Sequence, residues 1–141
     1  MKIGLDGNHI EIIELERAPK GVPNEGDVRV LIQVVLGEFS GKYDSVWLEE
    51  LAPREFIACF ERVENERSGS VTLESCSPEE FILTLRSRDA LGHFSVDISL
   101  CRYRYFGGSS WPTRVSGGFE IDPTKLPAML SDFRELHRPN V

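Results

Sequence analysis

Hydrophobic and polar residues alternate along most of the chain, and this spacing of two predicts β-strands. The clearest run is Val28–Leu36, where every second residue is valine, isoleucine or leucine. Leu31 and Val35 lie on its other face, so we expect this strand to be central in a sheet. Similar alternation predicts strands over residues 2–5, 9–16, 43–48, 70–74, 81–88, 94–100 and 113–121.

Between the fourth and fifth of these strands the apolar spacing changes to that of an amphipathic helix. Phe56, Phe60 and Val63 recur at intervals of four and three residues, which places them on one helical face. Pro53 precedes them and suits a first helical turn, where its missing N–H would have no partner. Gly69 follows the run and is a typical residue after a helix end.

A second amphipathic helix is predicted near the end of the chain, over residues 125–137. Thr124 is the preferred N-cap because it keeps Pro127 within the first turn, whereas Asp122 as cap would place that proline deeper. We expect the apolar stripe of this helix to consist of Leu126, Met129, Leu130, Phe133 and Leu136.

These elements together predict a single α+β domain spanning residues 1–141. We expect an antiparallel, meander-rich sheet of about seven or eight strands, with two amphipathic helices packed on it, because the connections are short. The apolar phase slips at Ile12-Ile13 and at Leu100-Cys101. At these two points we predict β-bulges or sharp bends, because alternation cannot otherwise change face.

Charge narrows the possible partners. The 141 residues include 16 basic and 23 acidic side chains, which gives a formal net charge of -7. Nucleic acids and anionic membranes repel such a surface, so we expect neither as a partner. No apolar stretch has the length of a membrane span. Cys59, Cys76 and Cys101 form no disulfide or zinc spacing, and reduced thiols indicate a cytoplasmic protein.

Catalytic and metal-binding motifs are missing from the sequence. His9, His93 and His137 are far apart along the chain and show no metal-ligand spacing. The glycine-rich segment Gly107-Gly108-Ser109-Ser110 connects two predicted strands, as a hairpin loop does, whereas phosphate-binding loops lead from a strand into a helix. We therefore expect no metal, no cofactor and no enzymatic activity.

Two groups of residues are candidates for binding a partner. The first is a set of acidic side chains that would attract a basic protein: Glu49, Glu50, Glu61 and Glu64. The second consists of residue types common in binding hot spots: Arg102, Tyr103, Arg104, Tyr105 and Trp111.

The aromatic group has two interpretations. Its rings could contact a protein, a sugar or another small ligand. Alternatively, they could close one end of the core while the arginines pair with glutamates, which is favoured because large aromatic residues usually bury most of their area.

Several segments resemble the WapI-like immunity proteins, which accompany polymorphic toxins of the wall-associated-protein type. They are Phe39-Ser40-Gly41-Lys42-Tyr43, Val46-Trp47-Leu48, Glu55-Phe56-Ile57, Gly69-Ser70-Val71-Thr72-Leu73-Glu74-Ser75, Leu83-Thr84-Leu85 and Gly118-Phe119-Glu120-Ile121-Asp122.

The resemblance covers residues 28–133. It implies a cytoplasmic protein that binds and neutralises a cognate toxin without catalytic residues of its own, and the acidity of the chain suggests a basic toxin domain. Two rival interpretations remain from the residues alone: a module that binds a small ligand or a carbohydrate, and an enzyme whose site is assembled from scattered carboxylates and histidines.

Overall fold

A computed structural model shows eight antiparallel strands and two helices, and it describes residues 1–136. The strands are β1 (Lys2–Leu5), β2 (Asn8–Arg17), β3 (Val28–Leu36), β4 (Phe39–Leu48), β5 (Ser70–Glu74), β6 (Phe81–Ser87), β7 (Phe94–Phe106) and β8 (Ser109–Ile121). Helix α1 (Ala52–Glu66) connects β4 to β5, and a 3-10 turn (Pro123–Lys125) leads into α2 (Leu126–Leu136). The α+β class and the number of elements are confirmed.

The eight strands form two sheets instead of the single sheet that we expected. The first sheet has the order β1-β2-β3-β4 and the second β5-β6-β7-β8, so each is a meander in which every strand pairs with its neighbours in sequence. Strands β3 and β4 of the first sheet contact β7 and β8, while α1 covers β5 and contacts α2. Alternation predicts where strands lie, but it carries no information on which strands share a sheet.

One continuous core joins the two sheets and the helices. Phe56 and Phe60 of α1 and Phe133 of α2 are fully or almost fully buried. The rings of Phe56 and Phe133 are 4.6 Å apart between centroids and tilted by 49°, a favourable geometry for aromatic pairs. The stripe predicted for α2 is buried at Leu126, Met129, Leu130 and Phe133, whereas the side chain of Leu136 and all of His137 lie outside the described residues.

The ends of both helices follow from their sequences. Pro53 lies in the first turn of α1, as predicted, and Arg67 closes that helix in a left-handed conformation with φ 50°. The preference for Thr124 as a cap is wrong, because the Asp122 carboxylate accepts hydrogen bonds from the Thr124 N–H and hydroxyl. Asp122 thereby caps the 3-10 turn, and α2 begins after that turn, which still leaves Pro127 in its first turn.

Neither predicted bulge lies where the apolar phase slips. Pairing between β2 and β3 is regular at Ile12 and Ile13, and the register shifts later, between Glu14 and Glu16. Ile13 is 40% exposed, so its apolar side chain marks no change of face. Pairing of β7 with β8 is unbroken at Cys101, whose side chain is buried on the face opposite that of Leu100. The strand is therefore covered on both faces there.

The two sheets approach each other closely at a glycine of β4. A Cβ atom built on Gly41 would lie 2.9 Å from Val115 Cγ2 of β8 and 3.7 Å from Leu100 Cδ2 of β7. The first distance is too short for a relaxed contact between carbon atoms. A side chain at this position therefore requires Val115 or the second sheet to shift.

We therefore predict that Gly41→Ala destabilises the fold by about 1–3 kcal/mol, the usual cost of overpacking. Urea denaturation followed by circular dichroism measures the change. Gly7→Ala is a matched control, because a Cβ atom at Gly7 has no neighbour within 4 Å. Equal stability of the two variants would show that the sheets can separate without cost.

Candidate functional site

The most exposed regular structure is the distal part of the β7–β8 hairpin, residues 102–114, which we call the arm. Every residue from Arg102 to Arg114 is exposed, although the two strands remain paired from Phe94↔Ile121 to Phe106↔Ser109. The exposed fractions of its large apolar residues are 38% for Tyr103, 77% for Tyr105, 62% for Phe106 and 60% for Trp111. The expectation that these rings close the core is therefore wrong.

A two-residue turn closes the arm. Gly107 and Gly108 have φ angles of 56° and 85°, values that glycine adopts without strain. Positive φ at both central positions matches the twist of the flanking strands and favours a tight hairpin. The predicted hairpin turn is confirmed, but it is shorter than expected, because Ser109 and Ser110 belong to β8.

Register decides which side chains of the arm share a face. Residues paired directly across the hairpin point to the same side, and successive residues alternate. Arg104 pairs with Trp111, so these two share a face. Tyr103 and Tyr105 lie on the opposite face. The aromatic rings therefore occupy both sides of the arm and do not form one stacking platform for a sugar.

The predicted pairing of the arginines with glutamates is also wrong. Within residues 1–136, Arg102 and Arg104 form no ion pair with a carboxylate. The Arg102 guanidinium instead lies over the Tyr43 ring of β4, 5.4 Å from its centroid. Such a cation–π contact orients the guanidinium while leaving its N–H groups available.

Tyr43 and Glu80 interact at the base of the arm. Partial burial raises the pKa of Tyr43, and the negative charge of Glu80 adds to this, while Arg102 opposes it. Burial also raises the pKa of Glu80, and its interaction with Tyr43 offsets part of that shift. A carboxylate therefore lies near the Tyr43 ring that Arg102 contacts.

The four acidic candidates do not form one patch. Glu49 and Glu50 are exposed after β4, where the Glu50 N–H donates to Asp27 Oδ1 at 3.1 Å. Glu61 and Glu64 belong to α1 and are half-buried. With a rise of 1.5 Å per residue, about 14 Å of helix separates Ala52 at the start of α1 from Glu61. Glu61 is also paired with Arg134 of α2, so its charge is partly neutralised within the fold.

Grooves elsewhere on the surface contain no obvious chemistry. One of about 390 Å³ lies between β1, β8 and α2, over an apolar floor that includes Phe119 and Met129. Lys2 and Lys125 face Asp122 at its rim, so its charges are mixed.

Residues 1–136 present neither a cluster of metal-binding side chains nor a membrane-spanning helix. No group of three or more histidine, cysteine or acidic side chains in this part of the chain is arranged to hold a metal ion. None of the helices described there has the length and apolarity needed to cross a membrane.

Two residues near the base and tip of the arm were not among the predicted site residues: Lys42 of β4 and Phe106 of the arm itself. Phe106 directly follows Tyr105, so extending the aromatic run by one residue would have included it. Lys42 lay outside the strand predicted over residues 43–48, yet β4 begins at Phe39 and the turn is Gly37-Glu38.

Comparison with known proteins gives one match. No curated protein and no solved structure matches the chain. Residues 2–139 match the family described as Immunity protein WapI-like. That match extends over nearly the whole chain, and the protein therefore belongs to the WapI-like immunity protein family.

Proposed function

We propose that the protein is a stoichiometric inhibitor that binds a cognate toxin domain, and that the arm is its principal contact surface. The observation that carries this proposal is the arm itself. Tyr103, Tyr105, Phe106 and Trp111 are exposed on a paired hairpin, and none of them belongs to the buried core. Family membership supports the same function, because immunity proteins protect a cell from a toxin.

The shape of the arm suits a cleft better than a flat surface. A two-stranded ribbon with aromatic rings on both faces buries them together only when a partner encloses it. Enclosure removes water from tyrosine and tryptophan side chains, the condition in which they contribute most to affinity. Insertion of the arm into the active-site cleft of a toxin would also explain inhibition, because the arm would exclude the substrate.

The acidic surface has a different role in this proposal. With a net charge of -7, the protein attracts a basic toxin over distance and accelerates encounter, whereas the contact that holds the complex is made by the arm. Glu49 and Glu50 are exposed and free to contribute. Glu61 and Glu64 contribute less, since they are half-buried and Glu61 is paired with Arg134.

Binding without catalysis is consistent with the chemistry of the surface. Two groups with raised pKa values, Tyr43 and Glu80, interact with each other at the base of the arm. The three free cysteines are suited to a reducing compartment, and we place the protein in the cytoplasm, where a toxin would be neutralised.

Co-expression tests the proposal. Cells that produce the toxin domain encoded beside this protein's gene should survive when the wild-type chain is present, and the two proteins should purify as a 1:1 complex. A matched variant joins Arg102 to Thr113 through Asn-Gly, which removes the arm but preserves a two-residue turn between paired residues. This variant should fold, yet fail to protect.

Two outcomes would count against the proposal. Death of cells that contain the wild-type chain, with no complex recovered, would show that the protein does not neutralise this toxin. Full protection by the folded armless variant would leave toxin binding intact but would assign the contact surface to another part of the molecule.

A further inference from the structure

A small cationic pocket lies at the base of the arm, between β4 and the β7–β8 hairpin. Its volume is about 210 Å³. Its polar lining consists only of cations and hydroxyl groups within the described part of the chain, and no carboxylate lines it: Ser40, Lys42, Tyr43, Arg102, Arg104 and Thr113.

Register explains why the cations converge. Arg102 and Arg104 are two positions apart on β7, so both point to the face that carries Leu100, which packs towards the first sheet. The first sheet supplies Lys42 from β4 to the same pocket. Like charges repel, and within residues 1–136 none of these three side chains forms an ion pair with a carboxylate.

Two other arginines differ from those of the pocket. Arg29 is paired with Glu16 at 2.9 Å, and Arg86 approaches Asp97 at 3.9 Å. The chain has 23 carboxylates for 16 cations, yet Arg102 and Arg104 form no ion pair with a carboxylate within residues 1–136. The Arg102 guanidinium lies over the Tyr43 ring, and this contact leaves its N–H groups able to donate hydrogen bonds.

We infer that this pocket receives acidic side chains of the toxin domain, so that the partner is locally acidic where it meets the base of the arm, even if its overall charge is basic. The inference rests on the proposed function, and it adds the chemistry of one contact to it. Arginine forms two parallel hydrogen bonds with one carboxylate, and two arginines with a lysine can hold more than one such group. Hydroxyl groups of Ser40 and Thr113 can donate to the remaining oxygen atoms.

The acidic surface and the cationic pocket have different roles in recognition. The acidic body attracts a basic toxin from a distance, while the pocket sets the orientation in which the arm enters. A toxin without the matching carboxylates would leave the cations desolvated and unpaired, which costs free energy and rejects the wrong partner. The pocket is thus a determinant of specificity for cognate over non-cognate toxins.

The test compares three forms of the full chain with the toxin domain encoded by the neighbouring gene. They are the wild type, Arg102→Gln with Arg104→Gln, and a matched control in which Arg86→Gln and Arg88→Gln remove the same charge from β6 and the residue that follows it. We expect the pocket variant to bind at least about 30-fold more weakly, mainly through faster dissociation, and the control to change affinity less than about threefold.

The salt dependence of the dissociation rate provides a second measurement. The dissociation rate of the wild-type complex should rise between low and moderate salt, and this dependence should flatten in the pocket variant. If the pocket variant binds as tightly as the control, the inference is wrong while the proposed function stands. If the wild-type chain does not bind the toxin, both fail.

Two further outcomes would also overturn the inference. Self-association of the wild-type chain that the pocket variant loses, seen by analytical ultracentrifugation, would identify a second copy as the occupant. Binding of inorganic phosphate to the isolated wild-type chain at micromolar concentration, lost in the pocket variant, would identify a small anion.

Discussion

Replacing Tyr105 and Trp111 together by alanine is expected to weaken binding to the toxin domain at least about 100-fold while leaving the melting temperature of the free protein unchanged. Each enclosed aromatic hot spot contributes about 2 kcal/mol or more to affinity. Their exposed fractions of 77% and 60% in the free protein mean that the fold loses little when they are shortened. Surface plasmon resonance and thermal unfolding measure the two quantities.

A matched control removes comparable exposed apolar area elsewhere. Leu5 and Leu91 are 78% and 76% exposed and lie outside the arm. Leu5→Ala with Leu91→Ala should leave toxin affinity within a factor of about two. Single variants add a further test, because Tyr105 and Trp111 occupy opposite faces of the arm. If only one of the two single variants loses affinity for the toxin domain, the arm docks by one face and does not insert into a cleft.

The second large effect concerns stability. We expect Phe133→Ala to reduce the free energy of unfolding by about 3–5 kcal/mol, a large share of the 5–15 kcal/mol typical of a domain. Phe133 has no exposed surface, and its ring packs against Phe56. Its removal leaves a cavity where α2 joins α1, and the surrounding helices can close that cavity only in part.

Urea denaturation at neutral pH checks this expectation. Ser131→Ala is the control, since Ser131 is exposed on the same helix and should change stability by less than about 0.5 kcal/mol. An unfolding free energy for Phe133→Ala within 1 kcal/mol of the wild type would show that α2 is not anchored through this ring. The Glu61–Arg134 ion pair cannot substitute for it, because an ion pair so exposed to solvent contributes little.

Strand positions were predictable from the sequence wherever one face of a strand is buried. The bounds predicted for β3 and β5 agree with the structure, because the buried residues of each, such as Val30 and Leu73, alternate without interruption. The first half of β4 was missed, since Phe39 is exposed there and Ser40-Gly41 mimics a turn. Hydrophobic alternation does not predict the bounds of a strand where the strand extends beyond the core, because neither face is buried there.

The exposure of the arm was also not predictable from the sequence. The aromatic run was recognised as unusual, but its side chains were expected in the core because tyrosine and tryptophan usually bury most of their area. Their exposure depends on how far β7 and β8 extend beyond the first sheet, which no local pattern encodes. The pocket was unpredictable for a related reason, because Lys42 and Arg104 meet only through the packing of two sheets.

The meander topology of both sheets affects how the chain folds. Residues 2–48 contain every strand of the first sheet, and residues 70–121 contain every strand of the second. Few long loops must close before hydrogen bonds form, which is the condition for rapid folding at a given stability. All strands of the first sheet are translated before α1. This sheet can therefore assemble on the ribosome before the arm has been synthesised.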